Sequence, residues 1–559
     1  MAAHTSAQKH SAGFSSQQRT IALVVVSLAF VMDLLDNTIV NVAIPTIQSN
    51  LHASYAAIQW LIAGYALSFA LLLITGGRMG DVFGYKKIFM IGVGGFTLAS
   101  LLSGLAGSPS MLIVARLLQG SFAALMVPQV ISLMQVMYKP EERAAINGLF
   151  GALGGLAASL GPVVGGLLIK ANVAHLTWRP IFLINVPVGA LGLWAAKKYL
   201  PAGKSDHPLK LDLLGTAIIL VAMTLLVFPL IQGRELGWPT WSYVMLVASL
   251  PVFALFAQWQ RIKDKRDGSP LVVPSLFHRR AFGAGLLINL LFEAAMLSFF
   301  LTFTLVIQIG LGFSAIHAAL TGLPVAFGIA FTMAVLGEKV IPKLGRKAIM
   351  LGTVVMASGL GVTAAMLHHY GQAIHSWQFI PGLLLIGIGM GCVFASLFAA
   401  VLSGVDVKHA GSASGILNAV QQVGGAIGIA LIGVIFFGQI NSGAAASFSS
   451  IEPSLRHNLS YLPAPAQDQI IAGARSCYID RSHEKDSSVV PASCQQATGT
   501  SVDTTISSVV KNAALKANDA NFNRAFKDGM IFAAAVLAVV FTTSFMLPKK
   551  IKASAYQEL

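Results

Sequence analysis

Apolar runs of about 20 residues recur along the whole chain, separated by short segments that contain Gly, Pro or charged residues. In a bilayer such a run must be a helix, because a helix satisfies its own backbone N–H and C=O groups without water. The composition agrees, since 55% of the 559 residues are hydrophobic and only 11% are charged. A soluble protein carries about 25% charged residues. The sequence therefore predicts an all-α polytopic membrane protein and excludes soluble, disordered and disulfide-dense secreted classes.

Fourteen spans are predicted from these runs. Their weakest boundary is the short turn at Ser108 and Pro109, where two runs nearly merge. An even number of spans places both ends of the chain on one side of the membrane. The predicted spans are 21–45, 56–77, 87–107, 111–136, 145–169, 180–196, 211–232, 241–260, 282–308, 316–337, 347–367, 378–402, 412–437 and 529–547.

The distribution of Lys and Arg predicts the orientation. The two tails and the loops after spans 2, 4, 6, 8, 10 and 12 contain 25 of the 37 basic residues, whereas the short loops of the opposite side contain only Lys170, Arg179 and Arg234. Short cytoplasmic loops are enriched in basic residues. Both tails, 1–19 and 548–559, are therefore predicted to be cytoplasmic, in an inner or plasma membrane. Because topology explains the net charge of +15, no nucleic-acid partner is required.

Residues 438–528 form the one long polar insertion, which the orientation places outside the cell. It contains Cys477 and Cys494, two of the three cysteines. An oxidising compartment favours a disulfide between them. The alternative is two free thiols that lie too far apart to bridge.

An internal repeat indicates two related halves. The segment from Gly77 to Lys87 joins spans 2 and 3, and a similar segment from Glu338 to Ala348, shifted by 261 residues, joins spans 10 and 11. Two six-helix halves would place these loops six spans apart, but they lie eight apart, so two helices are inserted between the halves. Duplicated halves are typical of transporters. The predicted units are 20–197 and 282–437 with 529–547 as six-helix bundles, and 211–260 as the inserted pair.

Six motifs in order then carry a resemblance to a known family: Leu35 to Pro45, Gly77 to Lys87, Arg116 to Gly120, Gly154 to Gly166, Trp178 to Pro187, and Gly411 to Gly425. With these, the chain resembles the fourteen-span drug:proton antiporters of the major facilitator superfamily. The resemblance implies the major facilitator fold and multidrug efflux driven by protons, hence antibiotic resistance. The loop motif departs from the family at Val82 and Tyr85, where basic residues are usual, which weakens any charge relay built on Asp81.

Four charged residues inside spans are the predicted proton-coupling residues: Asp36, Asp33, Arg116 and Glu293. A carboxylate within a span costs at least ~2.5 kcal/mol, so it is expected to face the bundle interior. The resemblance implicates Asp36 before Asp33. The alternatives are structural carboxylates pinned by hydrogen bonds, a fixed counter-ion role for Arg116, and a position of Glu293 high enough to reach water.

Two further motifs have predicted roles that rest on the resemblance. The loop motif is expected to gate transport, although its bases could simply mark topology; its residues are Gly77, Arg78, Asp81, Gly84, Lys86 and Lys87. The antiporter motif of span 5 is expected to seal the pathway against leak, although close helix packing alone would explain its small residues; its residues are Gly161, Pro162, Gly165 and Gly166.

The sequence as a whole predicts a proton-coupled secondary transporter that exports small amphipathic compounds by alternating access. Three interior acids against one base favour cationic cargo. The alternatives are an exporter of one specific metabolite, a passive channel or a membrane sensor. No enzyme activity, cofactor or metal site is predicted. The expected partners are cargo, protons and the lipid bilayer, and a monomer is compatible with this architecture.

Overall fold

The structure is a computed structural model that describes residues 16–138, 140–205, 210–233, 236–336, 341–402, 407–483, 491–497 and 504–549. These residues form helices joined by short turns, and no strand occurs among them. The predicted all-α class is therefore confirmed.

Sixteen helices are numbered here in chain order. Helices α7, α9 and α10 each continue into a π-helical turn, which ends at Gly233, Gly310 and Leu336, respectively. The helices are α1 Ser16–Leu51, α2 Tyr55–Phe83, α3 Tyr85–Gly104, α4 Pro109–Met137, α5 Pro140–Ala171, α6 Pro180–Tyr199, α7 Leu213–Phe228, α8 Thr240–Asp267, α9 Arg280–Leu305, α10 Ala315–Phe331, α11 Arg346–Tyr370, α12 Ser376–Leu402, α13 Val407–Asn458, α14 Ala464–His483, α15 Ala492–Ala497 and α16 Thr504–Thr543.

The fourteen predicted spans correspond to α1–α13 and α16. Thirteen of these helices are long and apolar enough to cross a bilayer over their described residues, and α5 contributes the shorter apolar stretch Leu160–Ala171. The uncertain turn between spans 3 and 4 is real, because Ser108 caps α4 by accepting a hydrogen bond from the Met111 N–H group. Helix α2 continues beyond the apolar run to Phe83, and the largest differences in helix ends are at α13 and α16, beside the predicted insertion.

The helices pack in two sets. Helices α1–α6 contact one another, and α9–α13 contact one another and α16. We call α1–α6 the first half and α9–α13 with α16 the second half. The two halves meet where α2 packs on α13 and where α5 packs on α10. Helices α7 and α8 pair with each other between the halves in sequence, and we call them the inserted pair.

The predicted insertion at 438–528 is largely helical in its described part, which we call the cap. Helix α13 does not end at residue 437 but continues to Asn458, and α16 begins at Thr504, well before its apolar run. The continuation has a physical reason, since Ala444, Phe448 and Leu455 recur at helical spacing and bury one face of α13 against α14 and α16. The cap therefore has a small apolar core of its own.

Cys477 and Cys494 are joined by a disulfide within the cap, with their Cα atoms 4.5 Å apart. We expect mass mapping of intact cells under non-reducing conditions to find the two cysteines in one linked peptide. The bond ties α14 to α15 and closes a loop of 17 residues, so the Cys477→Ser, Cys494→Ser double variant should destabilise the cap by about 3 kcal/mol. Recovery of both residues as free thiols from untreated cells would contradict the prediction.

Candidate functional site

The predicted proton-coupling residues of the first half meet in its interior. Asp36 is 1% exposed, and its carboxylate accepts three hydrogen bonds. Arg116 Nη1 lies 2.5 Å from Asp36 Oδ2, while Gln119 Nε2 and Asn185 Nδ2 lie 2.7 and 2.9 Å from Oδ1. Ser100 Oγ accepts further hydrogen bonds from Gln119 and Asn185 at 2.8 and 3.3 Å. Helices α1, α3, α4 and α6 thus join around one carboxylate.

Asp33 is one helical turn from Asp36 and is held differently. The hydroxyl group of Tyr65 donates a hydrogen bond to Asp33 Oδ1. The ring of the same tyrosine lies under the guanidinium group of Arg116, 4.1 Å from its Cζ to the ring centroid. Arg116 also donates to the backbone carbonyl of Leu61 at 3.2 Å. Among the described residues, no Lys, Arg or His forms an ion pair with Asp33.

This cluster contains two carboxylates and one guanidinium, so its charge changes when a proton binds. With both carboxylates ionised it carries one net negative charge, and with one protonated it is neutral. An uncompensated charge in an apolar interior is strongly disfavoured, whereas a charge-assisted hydrogen bond to a carboxylate is roughly twice as strong as a neutral one. The arrangement therefore favours a fixed negative charge on Asp36, because Asp36 is paired with the Arg116 guanidinium group. Asp33 is left as the carboxyl group that can accept a proton.

Glu293 lies apart from this cluster, on α9 in the second half. It is 3% exposed, and Gln421 of α13 donates a hydrogen bond to its Oε1 atom at 2.5 Å. The nearby Asn289 instead ties the two helices together by donating to the Leu417 carbonyl at 2.8 Å. In the described part of the chain no basic residue pairs with Glu293, so it is a second buried carboxyl group without a cation.

The antiporter motif provides close helix contacts. A Cβ atom added at Gly161 would overlap Thr38 of α1, and one added at Gly165 would lie 2.7 Å from Ile39 Cγ1. One added at Gly166 would lie 2.7 Å from the Cα atom of Ile316, on α10 of the second half. Pro162 lies inside α5. The first two glycines therefore join α5 to α1, and the third brings the two halves into backbone contact.

Polar and aromatic contacts join the halves towards the ends of the spans nearest the cap, and we call this region the cap-side seam. Gln59 of α2 donates to the Ile429 carbonyl of α13 at 2.8 Å, and the rings of Tyr55 and Phe437 lie 4.1 Å apart. Gln308 donates to the Val42 carbonyl at 3.2 Å. The Gly166 contact belongs to the same seam. The two halves are thus packed together on the cap side.

The loop motif is mostly helical, with only Gly84 between α2 and α3. Gly84 has φ +100°, a conformation that favours glycine. Asp81 accepts a hydrogen bond from the Tyr85 hydroxyl group at 3.0 Å. Tyr85 occupies a motif position at which a basic residue was expected from the resemblance, so Asp81 accepts a hydrogen bond from a neutral hydroxyl group instead.

The remaining residues of the motif face other segments. Lys86 Nζ donates to the carbonyls of Lys197 and Leu200 at 2.9 and 2.8 Å, and Lys87 is exposed. A Cβ atom added at Gly77 would lie 3.6 Å from Pro128, an ordinary contact. Arg78 is buried and points towards the segments that flank the inserted pair.

Several partners of these carboxylates carried no individual prediction from the sequence. Asn185 lies within the motif from Trp178 to Pro187, and Gln119 follows Arg116 by three residues, so weak signals existed for both. Gln421 likewise lies within the motif from Gly411 to Gly425. Tyr65 and Ser100 carried no signal, because single polar residues in apolar helices are common.

Comparison with known proteins gives a family model and a set of relatives. The family model described as Major Facilitator Superfamily matches residues 26–429. The chain is 40% identical over 542 residues to a probable actinorhodin transporter of Streptomyces coelicolor, covering 95% of this chain and 92% of that protein. It is 31% identical to a puromycin resistance protein of Streptomyces alboniger, covering 77% and 83%. It is 32% identical to a tetracenomycin C resistance and export protein of Streptomyces glaucescens, covering 75% and 76%.

Solved structures show the same fold. A bacterial homologue of the human lysosomal transporter Spinster, in an inward-facing and unoccupied conformation, matches with a TM-score of 0.60 at 16% identity, covering 97% of this chain and 100% of that one. The same bacterial homologue in its inward-facing and occupied conformation matches with a TM-score of 0.55 at 15% identity, covering 95% of this chain and 98% of that one.

Proposed function

The chain belongs to the major facilitator superfamily of membrane transporters, and on that premise we propose that it exports small amphipathic, antibiotic-type compounds from the cell in exchange for protons, by alternating access. Family membership confirms the resemblance drawn from the motifs and makes the protein a transporter rather than an enzyme. The names of the relatives support antibiotics as the class of cargo.

The buried array of Asp33, Tyr65, Arg116 and Asp36 is the single observation that carries proton coupling. An antiporter needs a site whose charge state changes the affinity for cargo or the balance between conformations, so that proton and cargo exclude one another. A cluster that is neutral with one proton and negative without it meets that need. It lies where four helices of the first half converge, so its charge can affect how those helices pack.

The proposal is tested by uptake into inverted membrane vesicles prepared from cells that express the protein. A panel of dyes and antibiotics is added outside, with an imposed pH gradient and with the gradient collapsed by an ionophore. We expect the gradient to drive accumulation and its collapse to remove it. Accumulation that is the same with and without the gradient would refute proton coupling, while absence of transport for the whole panel would refute this class of cargo.

Reporter fusions test the proposed orientation, with both tails inside the cell and the cap outside. Fusions at Ser205, before the inserted pair, and at Asp480, in the cap, should report opposite sides of the membrane. The expectation rests on the excess of basic residues in the loops that share a side with the tails. A report from the same side at both positions would contradict fourteen spans in this register.

Glu293→Gln should weaken export of cationic compounds while leaving neutral compounds nearly unchanged. The carboxylate faces no basic residue in the described structure, so a cationic cargo is the partner that would compensate its charge. The effect on cationic substrates should be about tenfold, within the usual 1–3 kcal/mol of a coupling free energy. Gln421→Ala, which removes the hydrogen bond but keeps the charge, is the matched control. Equal loss for charged and neutral cargo would contradict a role in charge selection.

Export of one specific metabolite is the second candidate. It is favoured by relatives that are each named for a single compound and by the extensive match to the probable actinorhodin transporter. The same panel separates the two, since a narrow exporter would move one structural class and ignore the rest.

A further inference from the structure

The inserted pair is what distinguishes this chain from a twelve-helix arrangement, and it is attached to the rest of the protein by two connectors. One precedes α7 and includes Lys210, and the other follows α8 and includes Ser269 and Pro270. The connectors touch each other, since the Lys210 N–H group donates to Ser269 Oγ at 3.2 Å. The two ends of the pair are thus brought together at one point.

Arg78 of the loop motif reaches that point from α2. Its Nη1 atom donates to the carbonyls of Lys210 and Ser269 at 3.2 and 2.8 Å, and its Nη2 atom donates to the carbonyl of Pro270. The side chain is buried, and its direct partners here are backbone carbonyls from both connectors. A guanidinium group suits this role because it presents several N–H donors in a fixed planar fork.

A second set of contacts joins α7 to α8 at the same end of the inserted pair. Asp212 caps α7 through the Gly215 N–H group and accepts hydrogen bonds from Trp259 and Gln260 of α8, at 2.8 and 2.9 Å. The pair is therefore internally tied at the end that Arg78 grips.

The pair also has a polar contact with α2 inside the membrane. The hydroxyl oxygens of Thr75 and Thr216 lie 2.8 Å apart, and both side chains are buried. Helix α7 touches α13 of the second half as well. The hydrogen bonds that Thr216, Lys210, Ser269 and Pro270 form with the two halves go to α2, and the connector carbonyl of Leu200 accepts from Lys86 of α3, also in the first half.

We propose that the inserted pair is carried by the first half as one rigid body during transport, and that Arg78 is the positioning residue that anchors both of its connectors to α2. The apolar contacts of the pair with α13 are then the surface along which the second half slides. This assigns Arg78 partners in the two connectors of the inserted pair rather than a role as a topology marker. The inference rests on the alternating access proposed above.

Crosslinking tests the rigid-body part. The Thr75→Cys, Thr216→Cys double variant, oxidised in vesicles with copper phenanthroline, should form a disulfide and still transport at close to its rate before oxidation. Each single variant, treated in the same way, controls for effects on Cys392 and on the disulfide of the cap. Loss of transport on oxidation, restored by dithiothreitol, would overturn the proposal, and so would failure of the crosslink to form.

A second crosslink separates this proposal from the proposed function. The Tyr55→Cys, Phe437→Cys double variant spans the cap-side seam, which alternating access requires to open. Its oxidation should stop transport, and reduction should restore it. If the protein crosslinked between residues 55 and 437 still transports, the alternating-access proposal fails at this seam. If that crosslink stops transport as expected and the crosslink between residues 75 and 216 stops it too, the rigid-body inference fails while the proposed function stands.

Arg78 variants test the anchor itself, in the Thr75→Cys, Thr216→Cys background. Arg78→Gln and Arg78→Lys should both slow formation of the crosslink several-fold, because neither side chain can grip both connectors with a planar fork. Arg78→Lys keeps the charge, so a topology marker would be fully replaced by it. Crosslinking at the parent rate in Arg78→Lys would overturn the assignment of Arg78.

Discussion

Replacing Asp36 with Asn should abolish export driven by a pH gradient, down to the level of vesicles without the protein. The substitution preserves size, but it replaces one acceptor oxygen with an NH2 group that cannot accept from Arg116, Gln119 or Asn185, and it leaves the Arg116 guanidinium group without its carboxylate. A buried charge separated from its partner is destabilising by about 3–5 kcal/mol, so the cluster can no longer change between neutral and negative states with the same helix packing. The measurement is vesicle transport with and without the gradient, normalised to the amount of protein in the membrane.

Two further variants serve as controls for Asp36→Asn. Asp468→Asn removes an exposed carboxylate of the cap that pairs with Arg456 and should leave transport unchanged. The Asp36→Asn, Arg116→Gln double variant removes both members of the buried ion pair, so it should restore any expression that the unpaired Arg116 charge costs. Full gradient-driven export by Asp36→Asn at normal expression would show that the proposed cluster does not couple proton to cargo.

Asp33→Asn offers a comparison within the same cluster. The Arg116–Asp36 ion pair remains in this variant, so cargo exchange down its own gradient should persist while the response to pH is lost. A variant that retained its response to the gradient would place the exchanged proton elsewhere, with Glu293 as the next carboxyl group to examine.

Gly166→Ala should produce the second large effect, a shift away from the state in which the cap side is closed. The added Cβ atom would lie 2.7 Å from Ile316 Cα and 3.0 Å from Ile316 N, and backbone atoms cannot turn aside as a side chain can. Overpacking of this kind costs about 1–3 kcal/mol, which corresponds to a change of roughly 5- to 150-fold in a conformational equilibrium. Labelling of a cysteine at Gln308 by a reagent added on the cap side should therefore become faster, and net export should fall.

Gly322→Ala is the matched control on α10, since a Cβ atom there would meet nothing within 4 Å. It should leave both labelling and export unchanged. If the cysteine at position 308 is labelled no faster in Gly166→Ala than in the parent, the cap-side seam tolerates the extra Cβ atom, and Gly166 does not stabilise the closed state.

Hydropathy predicted the existence and order of the spanning helices because each must satisfy its own hydrogen bonds in lipid, whatever its neighbours. It did not predict where helices end. Helix α2 passes its apolar run to reach Phe83, and α13 passes its own to reach Asn458, because water tolerates a helix whose apolar face is covered by another segment. Hydropathy marks the membrane boundary, whereas tertiary packing decides the end of the helix.

The charged members of the site were predictable for a related reason. Asp33, Asp36, Arg116 and Glu293 stand out because a charge inside a span is costly. Their neutral partners do not stand out: Asn185 reaches Asp36 across 149 positions of sequence, and only the packing of α6 against α1 and α3 brings it there. A pattern along one helix carries no information about such a contact.

The continuity of α13 and α16 into the cap makes the cap a lever arm fixed to the second half. The roughly 20 residues of α13 beyond Phe437 extend about 30 Å at a rise of 1.5 Å per residue. A tilt of the second half by ten degrees would therefore displace the far end of that helix by about 5 Å, a distance that fluorescence energy transfer between single dyes resolves. A dye on the cap and another on the exposed end of α5 would convert a change of tilt deep in the bilayer into an optical signal in water.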